Sequence, residues 1–240
     1  MLHFSQKKSD LECAKLHRKK AISGVQNCTE KKRSQACSAR KKSEIIGAGR
    51  KKMLIKCIKH INLVMHHKWL VFKLCCKVGL PWRGFMHDWS KFSPTEFWES
   101  VKYFDGHKSP ITVCKKDKGY SEAWLHHKGR NKHHYQYWTD LSLPEKTVVM
   151  PYKYAVEMVC DELAAGITYN GKNWTKDTQL EYYINKERKN LINPHIDNFL
   201  MATFIEVSQR GIDGTLTKES MKKLYEKYCV RMEKLDENKI

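Results

Sequence analysis

The sequence predicts an all-α protein, and three features of the 240-residue chain support this prediction. Apolar residues recur at spacings of three and four from residue 53 onward. Turn signals separate the periodic segments, at Gly79, Asp105-Gly106 and Asn170-Gly171. β-branched runs are scarce, and Thr147-Val148-Val149 is too short to indicate a strand. We therefore expect a helical domain over residues 53–240.

The predicted helices follow from these periodic segments. The first covers Leu54–Val78 and ends at Gly79, a typical C-terminal cap. The second begins at Ser93-Pro94-Thr95-Glu96, a capping-box pattern, and extends to about Phe104. The remaining helices are expected over 120–138, from Pro151 to about Tyr169, and near 177–190, 194–209 and 217–235, with loops at 79–85, 105–119 and 139–150.

Residues 1–52 differ in composition from the rest of the chain. They hold 15 Lys/Arg against 4 Asp/Glu, a net charge of +11 out of the total of +19, and they lack Trp and Tyr. This composition predicts a disordered basic tail that makes weak, nonspecific contact with nucleic acid. The tail is either such an arm or an upstream extension of a chain that starts at Met53.

The targeting and redox features indicate a cytoplasmic protein. No 18-residue apolar run occurs, so we expect no membrane span, and the N-terminus lacks a secretory signal pattern. Nine cysteines occur with no C-x-x-C pair, which favours reduced thiols. The oligomeric state is left open.

Histidines are concentrated in one part of the predicted domain. Nine of the twelve lie between residues 60 and 134. His60 and His67 are seven residues apart and share a helix face, as His127 and His134 would on the predicted third helix. His87-Asp88 lies between these pairs, and Asp161 follows on the fourth helix. Neutral imidazole and carboxylate together suit a divalent transition metal, so this order predicts a metal site.

Other histidines are interpreted as ordinary packed or exposed residues. His66 is 100° from His67 around the helix and is the weaker candidate ligand of the two. The histidines given no role are His3, His17, His107 and His195.

The order of His, His-Asp, His, His-His and Asp resembles the HD-domain superfamily of helical, metal-dependent phosphohydrolases. HDWSK is similar to that superfamily's H-D-x-x-K pattern. More closely, GFMHDWSKFSPTEF, AWLHHKGRNKHHYQYW and MPYKYAVEMVCDELAAG resemble an uncharacterised HD-like family of bacteria and phages, over roughly residues 53–200. The GYP signature of the cyclic-di-nucleotide enzymes is missing.

The resemblance implies an HD-like helical bundle and a role for each matching residue. His67, with His60 as competitor, and His87 would hold one ion, and Asp88 would bridge two ions. Asp161 would close the site, and Glu157 would orient a ligand. The remaining residues are Lys91, which would stabilise phosphate charge, and His127, His133 and His134, which would hold the second ion.

Three functions fit these residues. The leading hypothesis is hydrolysis of a nucleotide or other small phosphoester, with Asp88 and Lys91 as the catalytic residues and two ions of Fe, Mn, Co or Zn. The first alternative is a di-iron oxygenase or other redox enzyme on the same scaffold. The second is a non-enzymatic nucleic-acid-binding or scaffold protein with a structural metal.

Overall fold

The computed structural model describes residues 46–106, 108–185 and 191–230, together with Arg40 and Lys42. The chain divides into two compact units, Met1–Ile55 and Lys56–Ile240. Most of the predicted tail, and with it the expectation of disorder, lies outside the described residues. In the first unit, residues 46–55 are helical and exposed. Everything described below belongs to the second unit.

The second unit is all-α, as predicted, because no strand occurs in its described residues. A single isolated antiparallel bridge joins Thr139 and Thr147. Within the described ranges, every helix is too short or too polar to span a bilayer. The helices are α1 (residues 56–77), α2 (Pro81–Met86), α3 (Pro94–Tyr103), α4 (Pro110–Lys118), α5 (Glu122–Arg130), α6 (Tyr152–Asn170), α7 (Thr178–Asn185), α8 (Pro194–Thr215) and α9 (Lys218–Tyr225), with 3-10 turns at Trp89–Phe92, Tyr135–Trp138 and Gly171–Asn173 and a π turn at Glu226–Val230.

Two of the predicted helix termini are confirmed in detail. Gly79 has φ of +77°, and the N–H groups of Gly79 and Leu80 donate to the carbonyls of Cys76 and Cys75, which is a Schellman cap. At the start of α3, Ser93 Oγ accepts from the N–H of Glu96. These caps fix the ends of the two helices that flank the His87-Asp88 segment.

The predicted helix over 120–138 is wrong beyond Arg130. The side-chain amide of Asn131 donates to the carbonyl of His127, which satisfies a terminal carbonyl of α5, and Asn131 itself is extended. His133 and His134 therefore lie in a turn rather than on the helix of His127. Two predicted loops also contain helices, α2 and α4, and α8 continues past a non-helical residue, Gly211, to Thr215.

Helix α6 lies at the centre of the core. Its residues from Ala155 to Ala164 pack against apolar side chains of α1, α8 and α9. A helix that is apolar nearly all round is typical of such a central position. Among the polar residues of α6, Glu157 is fully buried, and Asp161 lies one turn later on the same face. These two carboxylates face the segments that carry the histidines.

Candidate metal centre

Asp88 lies in a strained turn between α2 and the following 3-10 turn. Its φ and ψ of 54° and 31° are left-handed, and apart from glycines it shares positive φ with only Lys146 among the described residues. Such a conformation costs on the order of 1–3 kcal/mol and is concentrated at functional sites. The Nζ of Lys68 on α1 donates to the carbonyl of His87 and helps to hold this turn.

Close packing of α2 on α1 places the turn. An added Cβ at Gly84 would lie 2.7 Å from Cys75 Cβ and 2.8 Å from Phe72 Cα, so only glycine allows this approach. As a result, His87 and Asp88 are both 1% exposed and face His67.

The first candidate metal-binding group consists of His67, His87, Asp88 and Asp161. The Nε2 of His67 lies 3.0 Å from Asp161 Oδ1, and the Nε2 of His87 lies 3.4 Å from the same oxygen and 3.3 Å from Asp88 Oδ2. Ligands about 2.0–2.2 Å from one ion lie about 2.9–3.5 Å apart in tetrahedral or octahedral geometry. The observed separations match that range.

The second group consists of Asp88, His127, His133 and His134. Asp88 Oδ1 lies 3.3 Å from Nε2 of His127 and 3.4 Å from Nε2 of His133. The ring of His134 has its centroid 4.2 Å from that of His133 and 4.8 Å from that of His127. Asp88 thus presents one carboxylate oxygen to each group, which is the arrangement a bridging ligand requires.

Several buried atoms at this site form no hydrogen bond of good geometry, although some of them lie 3.0 to 3.6 Å from an oppositely charged atom. Buried polar atoms are nearly always paired, because an unpaired one costs roughly 1–3 kcal/mol. Five such buried atoms in one place are typical of side chains that bind a cation. They are the Nε2 atoms of His67, His87, His133 and His134 and the Oδ1 of Asp88.

Glu157 contacts two of the candidate ligands, His87 and His133, on the Nδ1 side of their rings. Its Oε1 lies 3.1 Å from Nδ1 of His87 and 3.4 Å from Nδ1 of His133, and Arg83 donates to its Oε2. A carboxylate that accepts the Nδ1–H of a histidine leaves Nε2 free as the metal-binding atom. Against its burial, hydrogen bonds from His133 and His87 lower the pKa of Glu157 to about 2, so it remains charged. The expected orienting role of Glu157 fits these contacts.

Glu96 plays the same part for the other group and was not predicted. Its Oε2 lies 2.7 Å from Nδ1 of His127, and its Oε1 lies 2.6 Å from Nδ1 of His126. The carboxylate is 3% exposed. The capping-box interpretation assigned Glu96 to the start of α3, but its carboxylate turns inward to the two histidines of α5.

The pKa shifts indicate that the carboxylates of the site stay ionised and that at least one of its imidazoles stays neutral. Burial opposes ionisation of Asp88 and Asp161, yet neighbouring histidines, with Lys91 beside Asp88, hold both pKa values well below the usual range. Against its own burial, Asp88 raises the pKa of His87 well above its ordinary value. By contrast, burial and the neighbouring histidines hold the pKa of His134 well below normal, so its ring is neutral and able to bind a metal.

Lys91 is part of the same arrangement. Its Nζ lies 2.6 Å from Asp88 Oδ2, at the three-residue offset of the predicted H-D-x-x-K pattern. Burial opposes the charge on Lys91, but Asp88 and Asp161 raise its pKa above the ordinary value. The ammonium group is therefore retained and faces the same space as the carboxylates.

A cavity of about 560 Å³ opens from the two groups. Its wall includes His67, Asp88, Lys91 and Asp161, and it extends to α4, the end of α6 and the start of α7. This volume lies within the roughly 300–1,000 Å³ of small-molecule sites. The cavity therefore leaves several candidate ligands accessible to a small molecule.

The predicted site residues are brought together by the fold. Asp88, Lys91 and the six other predicted ligands lie within this cluster, and Glu157 lies directly behind it. His67 rather than His60 joins the first group, His66 is exposed, and His195 lies outside the cluster. The residues treated as ordinary at positions 3, 17 and 107 fall outside the described ranges. The donor set of imidazole nitrogens and carboxylate oxygens fits Zn, Fe, Mn or Co.

The chain belongs to a family of unknown function, DUF5662, whose sequence profile matches residues 56–206. That range contains every residue of the candidate metal centre. No match was found to a curated protein or to a solved structure.

Proposed function

We propose that the protein is a metal-dependent phosphohydrolase that acts on a nucleotide or other small phosphoester through a two-metal site. The observation that supports this proposal most strongly is the pair of four-residue groups that share Asp88 and open onto one cavity. The resemblance of His67, His87-Asp88 and Asp161 to the HD-domain order supports the same class. The small phosphorylated substrate would occupy the cavity.

Two divalent ions held by these groups would lower the pKa of a coordinated water and neutralise charge on the phosphoryl oxygens. The chain itself would hold those ions with Asp88 and the histidines and keep water access limited to the cavity. In the reaction, water oxygen bonds to phosphorus, the ester P–O bond breaks, and the leaving alcohol takes a proton. Lys91 would bind a non-bridging phosphate oxygen and stabilise the charge that develops there.

Lys91 supports hydrolysis over the redox alternative. A di-iron oxygenase would use the same imidazole and carboxylate ligands, so the ligands alone do not separate the two functions, but an ammonium group also lies 2.6 Å from the shared carboxylate. A permanent cation beside the ions suits an anionic substrate. Phosphoester hydrolysis is therefore the better-supported function.

The described cysteines also support a reducing compartment, and we propose the cytoplasm. They are free thiols, including the adjacent Cys75 and Cys76.

Hydrolysis is tested with purified protein loaded in turn with Mn, Fe, Co and Zn against nucleotides and p-nitrophenyl phosphate. We expect phosphate release that is abolished by His67→Ala and Asp88→Asn. His66→Ala is the matched control, because His66 is the exposed neighbour of His67. We expect Lys91→Met to lower kcat about 10²-fold or more with unchanged metal content.

The proposal fails if no metal supports hydrolysis, or if hydrolysis survives Asp88→Asn. An iron-loaded sample gives the redox alternative its own test. A mixed-valent EPR signal that responds to oxygen and substrate, without phosphate release, would replace hydrolysis with oxygen chemistry.

A further inference from the structure

The cavity has a second polar end, away from the candidate metal centre. His60 lines this end and lies seven residues before His67 on α1. Two helical turns separate residues so spaced by about 10.5 Å along the axis. A molecule with its phosphate at Asp88 would therefore reach His60 only if it were elongated.

The first turn of α4 closes this end of the cavity. Lys108, Ser109, Pro110 and Thr112 all line it. Ser109 is the N-cap residue of this nine-residue helix, but its hydroxyl makes no capping hydrogen bond. Lys108, which precedes Ser109, is exposed. The partial positive charge of a helix N-terminus and the ammonium group of a lysine therefore border the same cavity.

His60 is an independent observation at the same place. It is 6% exposed, and its Nδ1 has no hydrogen-bond partner in the described part of the chain. Contacts with Phe97 and Phe104 hold the ring, at centroid distances of 5.9 and 5.6 Å. A buried, unpaired imidazole on a cavity wall is a donor that lacks an acceptor.

The charges along the cavity are unequal. Its carboxylates are Asp88, Glu96, Asp161 and Glu162. Asp88, Glu96 and Asp161 belong to the metal centre or its supporting contacts, and Glu162 accepts a hydrogen bond from Gln179 of α7. Among the described residues that line the cavity, α4 and the segment before it contribute no carboxylate. The α4 end is therefore suited to an anion.

We propose that the α4 end, formed by His60, Lys108 and the first turn of α4, binds a second anionic group of the substrate. The substrate class is then an elongated phosphoester with a second phosphate about 10 Å from the one that is cleaved. This inference rests on the proposed function for the position of the first phosphate. It adds a specificity-determining site that acts through binding and takes no part in bond cleavage.

The test compares octane-1,8-bisphosphonate with octylphosphonate, which has the same chain and one anionic group. Binding of each to Mn²⁺-loaded protein is measured by calorimetry. We expect the bisphosphonate to bind about 10-fold more tightly than the monophosphonate. Lys108→Ala should remove that advantage and leave octylphosphonate binding unchanged.

Two further variants sharpen this test. Lys116→Ala changes another lysine of α4, one that does not line the cavity, and should have no effect. His60→Phe keeps a ring against the two phenylalanines and removes the donor, so it should weaken only the bisphosphonate.

Equal affinity of the two phosphonates for wild-type protein would overturn the second site and leave the proposed function intact. Metal-free protein tests the opposite outcome, in which the proposed function fails but the second anion site exists. If octylphosphonate fails to bind loaded protein but metal-free protein binds the bisphosphonate in a Lys108-dependent way, the proposed function fails and the second site stands. Absence of all binding overturns both.

Discussion

Glu96 should control metal affinity without being a ligand. Glu96→Gln keeps the size of the side chain but replaces one carboxylate oxygen with an NH₂ group. The two Nδ1 atoms that now lie 2.7 and 2.6 Å from its oxygens would no longer both find an acceptor. Where His127 is the histidine that loses its acceptor, the strongest contact that orients its ring is lost. Removing such a supporting partner costs about 10–100-fold in metal affinity, or roughly 1.4–2.7 kcal/mol.

Glu99→Gln is the matched control on the same helix. Glu99 accepts hydrogen bonds from Ser121 and from the N–H groups of Glu122 and Ala123, so it anchors the start of α5 without contacting a histidine. Affinity is measured by competition of Zn²⁺ or Mn²⁺ with a chelating indicator, and folding by circular dichroism. If both variants keep wild-type affinity within about threefold, the supporting role of Glu96 is refuted.

Two further predictions concern the framework around the site. Gly84→Ala should destabilise the fold by about 1–3 kcal/mol, because its Cβ would meet the backbone of α1. Gly129→Ala is the control: a Cβ there would have nothing within 4 Å, so this variant should be neutral or slightly stabilising. Both are measured by urea unfolding, and equal effects would contradict the packing argument. The ionised Glu99 should contribute about 1 kcal/mol to the free energy of unfolding at pH 7. Burial raises the pKa of Glu99, but hydrogen bonds from Ser121 and Ala123 outweigh this effect and lower it. The stability difference between wild type and Glu99→Gln should therefore begin to shrink below about pH 4.3 and vanish once the pH falls below the folded pKa. If the stability difference between the two proteins grew on acidification, the inferred direction of the Glu99 pKa shift would be wrong.

The local sequence predicts the helices whose ends have their own chemical signals. Gly79 and Ser93 are examples, because a left-handed cap and a side-chain N-cap depend on neighbouring residues alone. Pro110 and Gly119 gave equivalent signals for α4: Pro110 is the first residue of the helix, and Gly119, with φ of +82°, caps its end. That helix could have been predicted from the same rules.

The candidate ligands were predicted from their order, although part of the geometric reason was wrong. His127 and His134 were expected to share a helix face, but α5 ends at Arg130 and a turn brings His133 and His134 back to Asp88. The same side chains therefore meet through a turn after α5 rather than along one continuous helix. A resemblance in residue order survives such a change, because it depends on which side chains meet and not on the helix between them.

Glu96 could not be predicted, because its partners are distant in sequence. It lies 30 and 31 residues from His126 and His127, and helix periodicity gives no information across that distance. Its position after Ser93 instead satisfied a local rule. Only the packing of α3 against α5 shows that its carboxylate serves the histidines.

The most direct test of the two-metal centre is metal stoichiometry by ICP-MS on the purified chain and three variants. We predict two ions per chain for wild type and a loss of one ion each for His67→Ala and His134→Ala, which remove ligands of different groups. Asp88→Asn, which changes the shared ligand, should reduce binding at both positions. A wild-type chain that binds no transition metal, or variants that all keep the wild-type content, would contradict the assignment of this cluster as a metal centre.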